Sequence, residues 1–313
     1  MMASARPSES GFRKFIRSFH FRRTWPNYVM LLIPAFFVIL FSYVPLYGLI
    51  IAFEDYNPGK GFLGSNWVGL KWFRMAMQMP DFPKIVRNTV VIALGKMIFT
   101  QLFAVLFALL INEVRNPLFK RTVQTVTYFP HFLSWVIIGG VFIDMLSTKG
   151  MINQAIKALG GRPIFFLGSN QWFQPVMVML EVWKEFGYGA IIYLAAITSI
   201  NPELYEAAKI DGASRVGQVW YVTIPGISVT IVMMATLALG GIMNAGFDQI
   251  FIMYNASVYE TADILDTFIY RQGLVDSQYS LSTALGLFKS LIGATLLIVT
   301  NLFATKKFNY RIF

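Results

Sequence analysis

Apolar residues in this chain neither alternate nor recur on one face; they run in long blocks divided by short polar segments. Residues 28–53 carry no charge, and as a helix this block is longer than the ~30 Å hydrocarbon core of a bilayer. It also exceeds the ~7–15 apolar residues of a signal peptide, so it is read as a retained span. Five similar blocks follow. Thr89–Ile111 contains only Lys96, and Thr122–Ile143 has no formal charge besides His131. Trp172–Ile200 is interrupted by Glu181, Lys184 and Glu185, Gly226–Phe247 is uncharged, and Tyr279–Thr305 holds only Lys289. Helices that are apolar all round belong in a core or a membrane. The pattern therefore predicts an all-α integral membrane protein with six transmembrane helices, over about 29–53, 89–111, 122–146, 172–200, 226–247 and 279–305. A basic N-terminal segment (1–28), a polar loop (201–225) and a tail (306–313) complete the chain.

Composition supports a lipid environment. Hydrophobic residues make up 56% and charged residues only 13%, about half the share usual in soluble domains, and the mean hydropathy is +0.57. So little polar surface cannot cover a globule in water, which excludes a disordered chain and argues against a soluble enzyme. The absence of Cys removes disulfides and thiolate chemistry, and two His are too few for a His-based metal site.

The net charge of +10 is localised by topology. Six spans put both termini on one side, and an inner N-terminus places fourteen Lys and Arg inside against nine outside, the bias of a cytoplasmic N-terminus. Nearly all the surplus is then cytoplasmic, where loop topology and attraction to anionic membrane lipid account for it. No basic soluble module exists to bind nucleic acid.

The polar loop reads NPELYEAAKIDGASRVGQVWYVTIP. Asn201 before Pro202 is a helix N-cap with Pro at the first position and acids in the first turn. Leu204, Ala207, Ala208 and Ile210 give that helix an apolar side. Gly212 permits a left-handed bend, and Val216, Val219 and Trp220 mark a second stripe before Pro225. Helix, bend and helix form a unit shaped to be held by another protein; the alternative is an ordinary interfacial amphipathic helix.

Glu206, Ala207 and Ala208, with Asp211, Gly212 and Ala213 and a terminal Val222-Thr223-Ile224-Pro225, resemble the EAA loop of ABC importer permeases. Val222 and Ile224 are conservative departures from that family's pattern. FSYVPLYGLIIAFEDY (41–56), WVGLKWF (67–73), RNT (87–89) and YFPHFLSWVIIGG (128–140) extend the likeness along most of the chain, to the branch importing complex oligosaccharides and polysaccharide fragments, including the alginate and pectin-fragment importers. Within it the chain resembles a membrane subunit of a bacterial alginate importer. The resemblance implies a type I importer permease in the bacterial inner membrane, with its loop docked as a coupling helix on cytoplasmic ATPase subunits. It also implies a second, related permease subunit, two ATPase subunits holding ATP and Mg, and an extracytoplasmic solute-binding protein. No G-x-x-x-x-G-K-[ST] phosphate loop occurs here, so no cofactor is expected on this chain and any nucleotide site lies on a partner.

Charges inside spans are functional candidates because insertion is costly. Glu181, Lys184 and Glu185 can share one helix face and partly neutralise one another, and Gly187 and Gly189 allow close packing. Trp183 and Tyr188 would stack on pyranose rings if this helix walls the sugar path; otherwise the cluster is a structural ion pair. Lys96 and Lys289 each meet a sugar carboxylate, pair with Asp144 or Glu185, or snorkel. Asn244 and Asp248, four residues apart, are read on one face of span five, and His131 after Pro130 as a hydrogen-bonding group at a helix break. Outside, residues 57–87 are basic and 248–276 acidic, either a docking pair of patches or solvated loops.

The function expected is that of a permease subunit, not an enzyme, moving oligosaccharides of acidic, alginate-like type by alternating access. A membrane glycosyltransferase would need a second acidic cluster, and an ATP-independent carrier would show inverted repeats; neither is visible.

Overall fold

A computed structural model of the protein describes residues 21–308. Most of the expected basic N-terminal segment and the last residues of the tail lie outside that range. The described residues form two compact units, which meet in sequence between Ile51 and Ala52.

The first unit is built on α1 (Phe21–Val38), which continues as a π-helical turn (Ile39–Tyr43) into a 3₁₀ stretch (Val44–Phe53). Pro34 removes one backbone donor inside α1, and the hydrogen-bond register changes a turn later, as is usual where proline interrupts a helix. Leu31, Ile33, Phe36 and Phe41 are all exposed, the all-round apolar surface of a membrane span.

The second unit opens with a two-residue antiparallel ladder, β1 (Glu54–Asp55) on β2 (Asn66–Trp67), with Glu54 opposite Trp67, followed by α2 (Lys71–Gln78). Its centre is a pair of long helices, α3 (Phe82–Asn112) and α7 (Asn170–Thr198), packed along most of their length. Ile92, Phe173 and Met177 fill one end of the seam, and Ala104, Ala108, Ala190 and Ile197 the other. Small residues let the backbones approach, which substitutes for a hydrophobic drive that lipid cannot supply. Gly95 lies so close to α7 that a Cβ there would sit 2.8 Å from Val178. Between the pair run α4 (Pro117–Tyr128), α5 (Trp135–Leu146) and α6 (Met151–Ala158). After α7 come α8 (Pro202–Ile210), α9 (Arg215–Gln218), α10 (Ile224–Gly240), α11 (Phe247–Met253), α12 (Leu265–Tyr270) and α13 (Tyr279–Phe308). Helices α10 and α13 pack along each other.

Among the described residues, five helical stretches are long and apolar enough to cross a membrane: Trp25–Phe53, Phe82–Asn112, Trp135–Ala158, Arg215–Gly240 and Tyr279–Leu302. Helix α7 matches them in length but carries Glu181, Lys184 and Glu185. It runs unbroken through Gly187 and Gly189.

Two blocks expected as single helices are divided. In 122–146, α4 stops at Tyr128, a 3₁₀ turn spans Phe129–Phe132, and Ser134 caps α5 by accepting the Ile137 N–H at 3.4 Å. Pro130 has no N–H to continue the ladder. In 226–247, α10 ends at Gly240 and α11 begins at Phe247. Gly246 between them adopts φ +91°, a left-handed conformation that stops a right-handed helix and suits glycine.

Candidate functional site

The polar loop forms the capped helix, bend and helix that its residues predict. The Asn201 side-chain oxygen accepts the Glu203 N–H at 3.1 Å, and Pro202 takes the first helical position. Glu203 in the first turn and Lys209 in the last both suit the helix dipole. At the far end the Ala213 N–H donates to the Ala208 carbonyl at 2.8 Å across Gly212, whose φ is +82°, a C-terminal cap that needs a left-handed residue. Ser214 then caps α9 by accepting the Gly217 N–H at 3.2 Å. The unit is fastened to the membrane helices by the Tyr205 hydroxyl, 3.0 Å from that of buried Thr223 at the root of α10, and by an exposed Arg215–Glu113 pair to the end of α3. Glu206, Ala207, Asp211, Gly212 and Pro225 are exposed, with Ala208 and Ala213 half-buried. Leu204, Ile210 and Val216 are exposed as well. A rigid, capped element presenting acids and aliphatic side chains outward is suited to sit in a partner's cleft.

A cavity of about 240 Å³ opens beside the break between α10 and α11. Lys96 and Thr100 of α3, Glu181 and Glu185 of α7, and Gly241, Asn244 and Gly246 of the break line it. Lys96 is buried; its Nζ donates to the Ala245 carbonyl at 2.7 Å and lies 3.3 Å from Glu181 Oε2. That carboxylate oxygen is off line for a hydrogen bond, so the pairing is one of charge. The buried Thr100 hydroxyl has no protein partner.

A second group sits on the same helix. Lys184 Nζ donates to Glu185 Oε1 at 2.7 Å and to the His131 carbonyl at 2.9 Å. The other Glu185 oxygen is 2.7 Å from His131 Nδ1, and the His131 ring lies flat on that of Tyr188 at 3.7 Å. Gly187 makes room for this joint, because a Cβ there would overlap the Thr127 carbonyl.

The structure thus gathers Lys96, Glu185 and Asn244 at the cavity, with Lys184 and Tyr188 next to it through Glu185. It separates Trp183, Lys289 and Asp248 from them. Trp183 points to the opposite side of α7, packs edge-on against Phe142 and lines two apolar hollows. Lys289 pairs with Asp266 of α12. Asp248 is exposed in the first turn of α11, and Asn244 lies in the break, so the two do not share a helix face. The i,i+3 neutralisation expected of Glu181 and Lys184 is replaced by Glu181 with Lys96 and Lys184 with Glu185. Thr100, Gly246 and Gln249 were not singled out from sequence; the glycines at 240, 241 and 246 inside an apolar block were the available signal.

The acidic segment 248–276 is partly internal. Asp263 is buried and holds Arg271 through both guanidinium nitrogens, at 2.5 and 3.3 Å. Burial works against the Arg271 charge, but the bonds and charge of Asp263 outweigh it and raise the guanidinium pKa. Asp266 is taken by Lys289, which leaves Asp248, Glu260 and Asp276 exposed. The segment is tied to the helix pair by Asn88, whose amide donates to the Glu260 and Asp263 carbonyls at 2.9 and 3.2 Å. The Gln174 amide donates to the Thr261 carbonyl at 2.8 Å.

Residues 101–308 match the family model for the binding-protein-dependent transport system inner membrane component. The chain is 44% identical over 281 residues to the polygalacturonan/rhamnogalacturonan transport system permease protein YteP of Bacillus subtilis, covering 89% of this chain and 87% of that one. It superposes with a TM-score of 0.84 and 35% identity on a bacterial ABC transporter involved in import of the acidic polysaccharide alginate, covering 92% of this chain and 97% of that one. The bacterial alginate ABC transporter in complex with a pentasaccharide-bound periplasmic protein matches with the same TM-score, at 34% identity over 93% and 97% of the two chains. The chain belongs to the binding-protein-dependent transport system inner membrane component family, and is a multi-pass ABC transporter permease rather than an enzyme.

Proposed function

We propose that this permease carries acidic oligosaccharides, chains of uronic sugars, inward across a bacterial inner membrane, driven by ATP hydrolysed on partner subunits. The observation that carries the reading is the exposed α8–Gly212–α9 unit anchored through Tyr205 and Thr223 to the root of α10, the helix whose far end breaks at the polar cavity. Movement imposed on that unit reaches the cavity through one helix, as alternating access requires. Two ATPase subunits holding ATP and Mg supply the movement at the loop formed by Glu206, Ala207, Ala208, Asp211, Gly212, Ala213 and Pro225. A cavity of about 240 Å³ is too small to enclose an oligosaccharide, so a second, related permease completes the wall.

The cargo class is supported by the relatives: one is described for polygalacturonan and rhamnogalacturonan, another for alginate. A periplasmic protein bound in one of the matched structures supports delivery by an extracytoplasmic solute-binding protein. The Lys and Arg bias supports cytoplasmic termini and a cytoplasmic loop. Purification from native membranes in mild detergent tests the partners. An ATPase subunit is expected to copurify, and a chain that transports fully when reconstituted alone would refute the coupling.

A further inference from the structure

We infer that Lys96 is a positioning residue of the transport site: with Glu181 it clamps the break between α10 and α11 and thereby sets where Asn244 meets the cargo. It is not the counter-ion of an anionic sugar.

Non-helical backbone at membrane depth is tolerated only where its polar groups find partners. Residues 241–246 are such a stretch, and each end is closed locally: the Asn244 N–H donates to the Gly241 carbonyl at 2.7 Å, and the Ile250 N–H to the Gly246 carbonyl at 3.2 Å. The carbonyl of fully buried Ala245 is met instead by the Lys96 ammonium at 2.7 Å, from a helix 149 positions away in sequence. Gly246 fits this contact twice over. Its φ of +91° disfavours a side chain, and a Cβ there would lie 2.6 Å from Lys96 Nζ.

A second strut runs from the other side. Gln249 is wholly buried on α11, and its amide donates to the Met177 carbonyl of α7 at 2.9 Å. Helices α3 and α7 thus both hold the break, one through Lys96 and one through Gln249. Asn244, directly before Ala245, is left exposed at the cavity.

Charge points the same way. A buried ammonium is tolerated when a carboxylate and a hydrogen-bond acceptor both meet it, and Lys96 has Glu181 and the Ala245 carbonyl. The neighbouring Lys184 has Glu185. The two lysines and two glutamates sum to zero, so this wall offers a uronate no net cation.

The inference takes the cargo class from the function proposed above, and the test separates the two. The chain has no Cys, so Asn244→Cys introduces its sole thiol. In the assembled importer, with the partner subunits made cysteine-free, the labelling rate of that thiol by a small water-soluble reagent reports the position of the break. Lys96→Met is expected to change this rate by roughly tenfold, the worth of one charge-assisted hydrogen bond, and Glu181→Gln, which removes a charge partner but no hydrogen bond, by a smaller factor in the same direction. With Asn244 restored, Lys96→Met should lower uptake of the free-acid and methyl-esterified forms of one galacturonate oligosaccharide by the same factor.

Unchanged labelling in Lys96→Met, or uptake lost for the free acid alone, would overturn the inference. If Lys96→Met does not assemble, Glu181→Gln decides on the same readout, and an unchanged rate there is equally contrary. A wild-type importer that takes up neither sugar counts against the cargo class, while the labelling result still decides the clamp.

Discussion

Nδ1 of His131 lies 2.7 Å from Oε2 of Glu185, so the joint between α4 and α5 is fastened to the middle of α7. The same carboxylate takes a hydrogen bond from Lys184, whose side chain is only 9% exposed. Removing one partner of a buried pair leaves the other charge uncompensated. Glu185→Leu should therefore destabilise the protein by about 3 kcal/mol, and Glu185→Gln, which can still accept from Lys184, by clearly less. Thermal unfolding in detergent with both variants measures the difference; equal losses would show that acceptor geometry at this joint is unimportant.

Lys289 and Asp266 join α13 to α12. If the pair is structural, Lys289→Met and Asp266→Asn should each destabilise, and the double variant should recover part of the loss, with a coupling energy of about 1 kcal/mol. Sugar uptake by the double variant should match the wild type. A selective loss of acidic cargo in Lys289→Met would return Lys289 to the sugar path.

Asn88 satisfies two backbone carbonyls of the 259–265 region with one amide. Asn88→Ala leaves both without that donor, at an expected cost of about 1–3 kcal/mol. Faster amide hydrogen exchange should appear in residues 259–268 and not in α10. Uniform loss of protection would mean that the segment does not unfold as a local unit.

Around Gly212 a Cβ would meet nothing within 4 Å, but φ is +82°. Gly212→Ala should therefore cost about 1–2 kcal/mol of local strain without any steric clash. A bulky residue such as Phe should uncouple ATP hydrolysis from transport, or prevent ATPase docking, while leaving membrane insertion intact. Normal transport in Gly212→Phe would count strongly against the loop as the coupling element.

The helix–bend–helix loop was legible because its signals are local. Asn201-Pro202, Glu203 and Gly212 each act within a turn or two of their own position, and the caps form where those residues stand. The membrane blocks were legible because length and uninterrupted apolarity suffice for them. The breaks at Pro130 and Gly246 were harder to place, since a proline or glycine inside an apolar run either bends a helix or ends it, and neighbouring helices decide which. The polar site depended on pairing across the fold. Lys96 meets Ala245 and Glu181, Lys289 meets Asp266, and Trp183 faces away from Glu181 and Glu185; none of these follows from spacing along one helix. Charges three residues apart suggested a Glu181–Lys184 pair within α7, whereas Glu181 is met across the fold by Lys96 and Lys184 takes its own neighbour Glu185.

ATP-dependent uptake tests the central claim most directly. Proteoliposomes holding this permease, its partner permease and the ATPase subunits, supplied with solute-binding protein and a uronic oligosaccharide, should accumulate the sugar only when ATP is present on the loop side. Gly212→Phe should abolish that accumulation. Accumulation without ATP, or undiminished accumulation in Gly212→Phe, would contradict an importer driven through the Asn201–Pro225 segment.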